Sequence, residues 1–237
     1  MQGVVTVLLP GTGSDDDYLT RALAGPLTRA GAVVVSVAPE PEGLVNGYLA
    51  ALDRTLNRTR ERLGDSGRIA VGGVSLGAAL AVRWALEHPR NTAAVLAVLP
   101  PWTGAPGDAP AAVSARHTAA TLRREGLDAS TAAMRSSSPR WLADELARSW
   151  RRQWPALPDA MDEAADYVGP SAEELRRLEV PLAVVAASDD AIHPATVAAE
   201  WVALAPRAAL RTVRLADFGP RPALLGQACV DALQAID

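Results

Sequence analysis

The stretch AVGGVSLGAALA, residues 70–81, constrains the fold of this chain more than any other. An apolar run typical of a buried strand passes directly into an apolar helical segment, and the turn between them, residues 73–77, reads GVSLG. A serine on such a sharp turn has strained backbone angles, and the residues two positions away must be very small because strand and helix nearly collide there. The pattern predicts a strand, a tight turn and a helix, with the Ser75 hydroxyl at the carboxyl end of a sheet.

Six short runs rich in Val, Ala, Leu and Ile predict the strands of that sheet. They cover residues 4–9, 32–38, 68–74, 93–99, 182–188 and 210–216. The first five lack regular polar alternation, which is typical of strands buried on both faces, whereas the sixth alternates as an edge strand does. Segments with apolar helical stripes lie between them, at 18–30, 44–63, 76–87, 195–204 and 222–236. This alternation predicts an α/β fold with a mostly parallel, doubly wound sheet of about six strands.

The alternation of strands and helices breaks after the fourth strand. Residues 103–179 contain no convincing strand; they begin with a loop rich in Pro and Gly and continue as helical, arginine-rich segments. We therefore predict a helical cap at 103–179, inserted into a core formed by residues 1–102 and 180–237. Its arginines are interpreted as a solvated face of the cap.

Local signals within the predicted cap mark two helix starts. Ser138 is predicted to cap a helix with Pro139 at its first position, and Ser171 with Glu174 has the spacing of a capping box. An apolar stripe at four-residue spacing follows the first start, at Leu142, Leu146, Trp150 and Trp154. Such a stripe is typical of a helix packed on a core, and it can also form a pocket wall.

Charge and composition exclude several classes of function. The net charge of −4 and the pI near 5.5 provide no broad basic surface, so we expect no nucleic-acid partner. No stretch is apolar and long enough to span a bilayer, and no secretory leader precedes the first strand, so a cytoplasmic protein with no membrane partner is predicted. Cys229, the single cysteine, is expected to be a small buried residue. Three scattered histidines do not form a metal-ligand set, so we expect no metal.

The elbow at Ser75 in its strand–turn–helix context resembles that of the α/β-hydrolase fold family, and the resemblance covers the chain from about Val4 to Ile236. It extends to an insertion after the strand that follows the elbow strand. The resemblance implies a serine hydrolase in which the Ser75 hydroxyl attacks a carbonyl carbon. Trp102, just after the fourth strand, is then expected at the rim of the substrate pocket.

The segment LLPGTGSDDDYL, residues 8–19, is similar to the family's loop after the first central strand. The resemblance implies an oxyanion hole formed by the backbone amides of Thr12 and Leu76, with Gly13 nearby. A phosphate-binding loop is the alternative, but the glycine spacing differs from that of a dinucleotide fingerprint and the aspartates at 15–17 would repel a pyrophosphate. Those aspartates are expected to cap the next helix.

The segment ASDDAIHP, residues 187–194, is similar to the family's acid loop, in which an aspartate precedes a proline by four positions. The resemblance therefore assigns Asp190, rather than Asp189, as the acid. The family's base normally follows the last strand, but residues 215–226 contain no histidine and none follows His193.

Three histidines are therefore candidates for the base. His88 lies at the far end of the helix that begins after Ser75, about 18 Å away, and fits helix termination before a proline. His117 lies in the predicted cap, on a helix face that is either solvated or turned towards a pocket. His193 either caps the helix that Pro194 begins or acts as the base, since it is predicted on the same rim as Asp190 and Ser75. A helix N-terminus disfavours an imidazolium at this position, which the two neighbouring aspartates could offset. A D-x-x-H pair on one loop also serves the unrelated SGNH hydrolases.

The leading hypothesis is a cofactor-free serine hydrolase that cleaves an ester or thioester of a small acyl compound through an acyl-enzyme on Ser75. Its catalytic residues would be Ser75, His193 and Asp190, and its partner a small-molecule substrate. Because the late histidine is missing, two alternatives stay open. One is a non-hydrolytic enzyme on the same fold, such as a lyase, isomerase or cyclase. The other is an inactive member that binds a ligand or partner without a standard triad. The sequence does not predict the oligomeric state.

Overall fold

A computed structural model of the protein describes residues 2–236, which form a six-stranded sheet with helices on both faces. Every neighbouring pair of strands is parallel. The strands are β1 (Val5–Leu9), β2 (Val33–Ser36), β3 (Ile69–Val74), β4 (Thr92–Val98), β5 (Leu182–Ala187) and β6 (Ala208–Val213). Their order across the sheet is β2-β1-β3-β4-β5-β6. The predicted fold class, a doubly wound parallel sheet, is confirmed.

The helices follow the strands in the order that the sequence predicts. Those of the sheet layers are α1 (Asp16–Leu19), continued through a π turn (Thr20–Ala24) into α2 (Gly25–Arg29), then α3 (Leu44–Leu63), α4 (Leu76–Glu87), α9 (Ala195–Leu204), α10 (Leu215–Phe218) and α11 (Ala223–Leu233). Those between β4 and β5 are α5 (Pro110–Ser137), α6 (Arg140–Gln153), α7 (Leu157–Asp166) and α8 (Ala172–Arg176). A 3₁₀ turn (Pro41–Gly43) precedes α3.

The core has two layers because successive strand side chains point to opposite faces of the sheet. In β1, Val7 and Leu9 pack with α3, α4 and α9, whereas Leu8 packs with α2 and α11 on the other face. Cys229 is buried in this second layer, as predicted, and burial raises the pKa of its thiol to about 12. No helix within residues 2–236 combines the length and apolar character that a bilayer crossing requires.

Two predictions about the sheet edges need correction. Strand β2 was expected to be buried on both faces, but it is an edge strand in which Val33 is 54% exposed and Val35 is 38% exposed. Strand β6 is the other edge, as predicted, yet it ends at Val213 and not at residue 216. The chain turns into α10 there because the Asp189 carboxylate accepts hydrogen bonds from the amides of Leu215 and Ala216.

The predicted cap region is helical, and between β4 and β5 the described chain has no strand. Its assignment as a separate cap, with boundaries at 103 and 179, stays a prediction. The capping box of Ser171 and Glu174 is confirmed by its two reciprocal hydrogen bonds, of 2.9 and 3.2 Å.

The predicted start of α6 is wrong by one residue, and the predicted apolar stripe runs one residue past the end of this helix. Ser138 does not cap α6; both it and Pro139 have extended backbone angles, so Pro139 is the N-cap and the helix begins at Arg140. A residue before proline is driven to extended angles by the proline ring. At the other end α6 stops at Gln153, so Trp154 leaves the apolar stripe and is 38% exposed.

The strand order reverses between β1 and β3, since the chain runs from β1 to β2 on one side and returns to β3 on the other. In doubly wound sheets, ligands bind outside the carboxyl ends of the strands at such a switch point. The loop after β1 and the elbow after β3 therefore meet at the expected position of a site.

Candidate active site

The elbow holds Ser75 in a strained conformation between β3 and α4. Its backbone angles are φ 53° and ψ −117°, a region that non-glycine residues rarely occupy. The turn can be this tight because Gly73 and Gly77 both lie against the carbonyl oxygen of Leu9, with which a Cβ at either position would overlap. The Ser75 amide donates to the Val98 carbonyl at 3.0 Å, which ties the turn to β4. The two small neighbours that the sequence predicts thus have an identified steric cause.

We predict that Gly77→Ala destabilises the protein, because the added methyl group would overlap backbone rather than a movable side chain. The expected loss in unfolding free energy is about 1–3 kcal/mol or more, as for other overpacked positions. Denaturant unfolding monitored by circular dichroism measures it. Gly43→Ala is the matched control, since a Cβ there meets no atom within 4 Å. Equal stability of the two variants would contradict the steric account.

The loop after β5 presents an imidazole to the elbow serine. His193 Nε2 lies 3.0 Å from Ser75 Oγ, and His193 Nδ1 lies 2.9 Å from Asp190 Oδ2. The other oxygen, Asp190 Oδ1, accepts the backbone amides of Ile192 at 2.8 Å and of His193 at 3.2 Å. One carboxylate thus both folds the loop and orients the ring. With the proton on Nδ1, Nε2 is free to accept the proton of the serine hydroxyl.

The local environment keeps the Asp190 carboxyl group ionised. Burial raises its pKa, but the hydrogen bond and charge of His193 and the two backbone amides outweigh burial, so the pKa lies below its ordinary value. The side chains of His193 and Asp190 are only 16% and 8% exposed. A carboxylate this close stabilises an imidazolium that would form on proton transfer.

The neighbouring aspartate has a different environment. Asp189 is exposed, and the amides of Leu215 and Ala216 lower the pKa of its carboxyl group. It caps α10 and makes no hydrogen bond to the imidazole. The family resemblance implies Asp190 rather than Asp189 as the acid, and of the two aspartates it is Asp190 that is hydrogen-bonded to the imidazole.

The other two histidines lie in different surroundings from His193. His88 ends α4, where its ring stacks on Trp84 and lies 3.7 Å from an Asp53 carboxylate oxygen. His117 is exposed on α5 and borders the cavity, and its ring makes no hydrogen bond within residues 2–236. The expectation that His193 caps a helix needs correction, since Pro194 is the N-cap of α9, which begins at Ala195.

The loop after β1, residues 10–15, lies directly against the elbow. A Cβ on Gly11 would be 3.4 Å from Ser75 Cβ, so the backbone passes beside the hydroxyl. Thr12 and Leu76 both border the cavity, and within the described chain no hydrogen bond uses either of their amides. Gly13, at φ 74°, packs under the Trp150 indole and does not border the cavity. The amides of Thr12 and Leu76 therefore stay the predicted donors of an oxyanion site.

A cavity of about 690 Å³ opens above these groups. Trp102 forms part of its wall, at the predicted position, and its indole Nε1–H donates to the Tyr167 carbonyl at 3.2 Å. Much of the apolar wall was not predicted from the sequence. These residues include Leu99, Met134, Trp141, Met161, Leu215, Phe218 and Leu225, whereas Leu142 and Leu146 belong to the stripe for which a pocket wall is one of the two predicted roles.

Two of the unpredicted wall residues could have been found from their positions in the sequence, one at the end of a predicted strand and one in the segment after the last strand. Leu99, at φ 51°, follows β4 at the carboxyl edge of the sheet, where site residues concentrate, and its amide donates to the Val185 carbonyl at 2.7 Å. Phe218 occupies the segment where the family resemblance leads one to expect the histidine. Its ring meets Trp141 edge-on at 5.7 Å, so the late loop forms a cavity wall.

Comparison with known proteins agrees with this architecture. The sequence pattern of the Alpha/beta hydrolase family matches residues 2–218. Comparison with curated proteins gave no match.

Several solved structures are similar over most of this chain. A hydrolase from Oleispira antarctica has a TM-score of 0.74 at 12% identity, over 99% of this chain and 93% of that one. The enol-lactonase from Burkholderia xenovorans LB400 has a TM-score of 0.71 at 17% identity, over 99% of this chain and 92% of that one. A thermophilic esterase from Thermogutta terrifontis has a TM-score of 0.66 at 17% identity, over 97% of this chain and 89% of that one. These structural similarities establish the shared fold, and the sequence match over residues 2–218 establishes that this chain belongs to the α/β-hydrolase family.

Proposed function

We propose that this protein is a serine hydrolase that cleaves an ester or thioester of a small acyl compound through an acyl-enzyme on Ser75. One observation carries the proposal: His193 Nε2 lies 3.0 Å from Ser75 Oγ while its Nδ1 lies 2.9 Å from Asp190. Nucleophile, base and orienting acid thus form one hydrogen-bonded chain, which is the arrangement that acyl transfer by a serine needs.

The first half-reaction acylates the serine. Ser75 Oγ attacks the carbonyl carbon as His193 Nε2 takes its proton, and the amides of Thr12 and Leu76 stabilise the oxyanion. The C–O or C–S bond to the leaving group then breaks, and the leaving group takes the proton from His193. In the second half-reaction His193 removes a proton from water, which attacks the acyl carbon. The acid leaves, and Ser75 recovers its proton.

The base comes from the acid loop rather than from the loop after the last strand, and this position has an electrostatic cost. The N-terminus of α9 begins two residues after His193 and disfavours an imidazolium. The Asp190 carboxylate offsets this cost, because a full charge at 2.9 Å outweighs the partial charge of a helix end.

The cavity supports a small, largely apolar substrate. Its volume of about 690 Å³ falls within the usual range for small-molecule sites. Helices α5, α6 and α7 contribute much of its wall, which favours a compact ester or thioester over a protein substrate. An enol-lactonase and an esterase are among the structures similar to this chain, which agrees with ester chemistry.

The two alternatives, a non-hydrolytic enzyme and an inactive binding protein, were motivated by the missing late histidine. The missing late histidine is now a weaker argument for either alternative, because an imidazole from another loop lies within hydrogen-bonding distance of Ser75. No other observation favours either alternative.

Fluorophosphonate labelling followed by intact-mass measurement tests the proposal. We expect one adduct on the wild type, none on Ser75→Ala, and strongly slowed labelling of His193→Ala, because an unactivated serine reacts poorly. His117→Ala is the control and should label like the wild type. Turnover of p-nitrophenyl esters and acyl thioesters then separates the two substrate classes. A folded wild type that neither labels nor turns over either class would refute the proposal.

A further inference from the structure

We infer that helix α6 positions the 10–15 loop for the reaction on Ser75, with Arg148, Trp150 and Gln153 as positioning residues. The inference rests on the proposed function, since it concerns the loop whose Thr12 amide would bind the oxyanion. Three consecutive loop residues, Gly13 to Asp15, each contact α6.

The first contact is an ion pair to a buried carboxylate. Asp15 is 2% exposed; Arg148 Nη2 lies 2.8 Å from its Oδ1, and Arg148 Nε lies 3.4 Å from its Oδ2. Asp15 Oδ1 also accepts the Tyr18 amide at 3.0 Å and thereby caps α1, as the aspartate run predicts. Arg152 Nη1 lies farther away, 3.5 Å from Asp15 Oδ2. A buried carboxylate depends strongly on its partners, and most on the nearest one, because the charge cannot recover its hydration. Arg148, whose side chain is 37% exposed, thus makes a buried ion pair that the interpretation of the cap arginines as a solvated face did not include.

The next contacts hold the backbone of the loop itself. Gln153 Nε2 donates to the Ser14 carbonyl at 3.0 Å and to Ser149 Oγ at 2.7 Å, which fixes the amide on α6. The Trp150 indole covers Gly13 so closely that a Cβ there would be 2.9 Å from Trp150 Nε1. Thr12 is thus held between Gly11, which lies against Ser75, and Gly13, which lies under α6.

This arrangement couples α6 to catalysis by geometry. An oxyanion donor is effective only when it lies about 3 Å from the developing charge. Loss of the α6 contacts would leave Thr12 held only through Gly11. Its amide would then spend less time in the position from which it and the Leu76 amide can both donate to the oxyanion.

Arg148 also borders the cavity, so a role in binding an anionic substrate needs consideration. Its guanidinium already lies 2.8 Å from Asp17 and 2.9 Å from Glu145, in addition to Asp15. These carboxylates are shared with two further arginines of the same network, so the charge of this guanidinium is already paired. The contacts therefore favour positioning of the loop over capture of an anion.

The test compares steady-state kinetics of Gln153→Met and Arg148→Met with the wild type. Methionine keeps the approximate volume of glutamine and removes the donor to Ser14. Arg123→Met is the matched control, because Arg123 makes a cap ion pair to Asp159 and Asp162 and has no contact with the loop. If Arg148→Met fails to fold, Asp15→Asn replaces it; asparagine keeps the helix cap and removes the charge.

We expect kcat to fall about tenfold or more in both loop-contact variants while KM changes little, because a weakened oxyanion donor acts on the transition state. Affinity for a boronic acid, which forms a tetrahedral adduct on the serine, should fall in parallel with kcat. Arg148→Lys should restore only part of the rate, since lysine keeps the charge and loses the side-on geometry. Arg123→Met should keep wild-type kinetics.

Two outcomes would overturn the inference with the proposed function intact. One is wild-type kcat in folded Gln153→Met and Arg148→Met. The other is an equal loss of kcat in Arg123→Met, with the loss in each variant proportional to its loss of thermal stability. That result would indicate that any destabilisation of the predicted cap lowers the rate. A wild type that neither hydrolyses nor labels would instead refute the proposed function, and the inference with it.

Discussion

Replacement of His193 by alanine is expected to lower kcat/KM for an ester substrate by about 10⁴- to 10⁶-fold, the range for loss of a triad base. The reason is geometric: His193 Nε2 is 3.0 Å from Ser75 Oγ, and the other two histidines lack such a contact. Without the imidazole the hydroxyl keeps its proton and the leaving group receives none. Stopped-flow or steady-state hydrolysis of a p-nitrophenyl ester measures the loss.

The controls for this prediction are His117→Ala and His88→Ala, which should retain rates near that of the wild type. Circular dichroism should show that all three variants are folded. A small effect of His193→Ala together with a large effect of His117→Ala would move the base to the predicted cap. Wild-type rates in all three variants would remove histidine from the mechanism.

The second large effect is expected at the acid. Asp190→Asn should lower kcat by about 10⁴-fold, as an asparagine amide orients the imidazole in the wrong tautomer. The substitution keeps an oxygen that can accept the Ile192 and His193 amides, so the loop should retain its conformation. Asp189→Asn is the matched control, because Asp189 caps α10 and makes no hydrogen bond to the ring. Equal losses in the two variants would contradict the assignment of the acid.

The Asp190→Asn variant also tests how the stability of the protein depends on pH. The pKa of Asp190 in the folded protein lies below its unfolded value, so the ionised group stabilises the fold above the unfolded pKa of about 3.9. That contribution is lost as the pH falls through the lower folded pKa. The unfolding free energy of Asp190→Asn should therefore decline less steeply than that of the wild type below about pH 4. Urea unfolding across this range checks the sign, and a steeper decline in the variant would refute it.

The order of strands and helices was predictable because the hydrophobic pattern follows directly from burial on the two faces of a sheet. The elbow was predictable for a local reason: Gly73, Ser75 and Gly77 form a turn that few other residue combinations allow. The edge position of β2 was not predictable from its own residues. Val33 and Val35 are as apolar as a buried strand, and their exposure depends on which neighbour pairs with β2.

The sequence by itself determined the fold class and the nucleophile turn, since both depend on patterns of residues close together in the chain, and the family resemblance implied the acid loop. It left three histidines as candidates for the base, because Ser75 and His193 are far apart in sequence and only the packing of β3 beside β4, and of β4 beside β5, sets the distance between their loops. The contact of α6 with the 10–15 loop was likewise invisible in the sequence. It joins Asp15 to Arg148 across 133 residues, and only tertiary packing buries that carboxylate and makes it dependent on its partner.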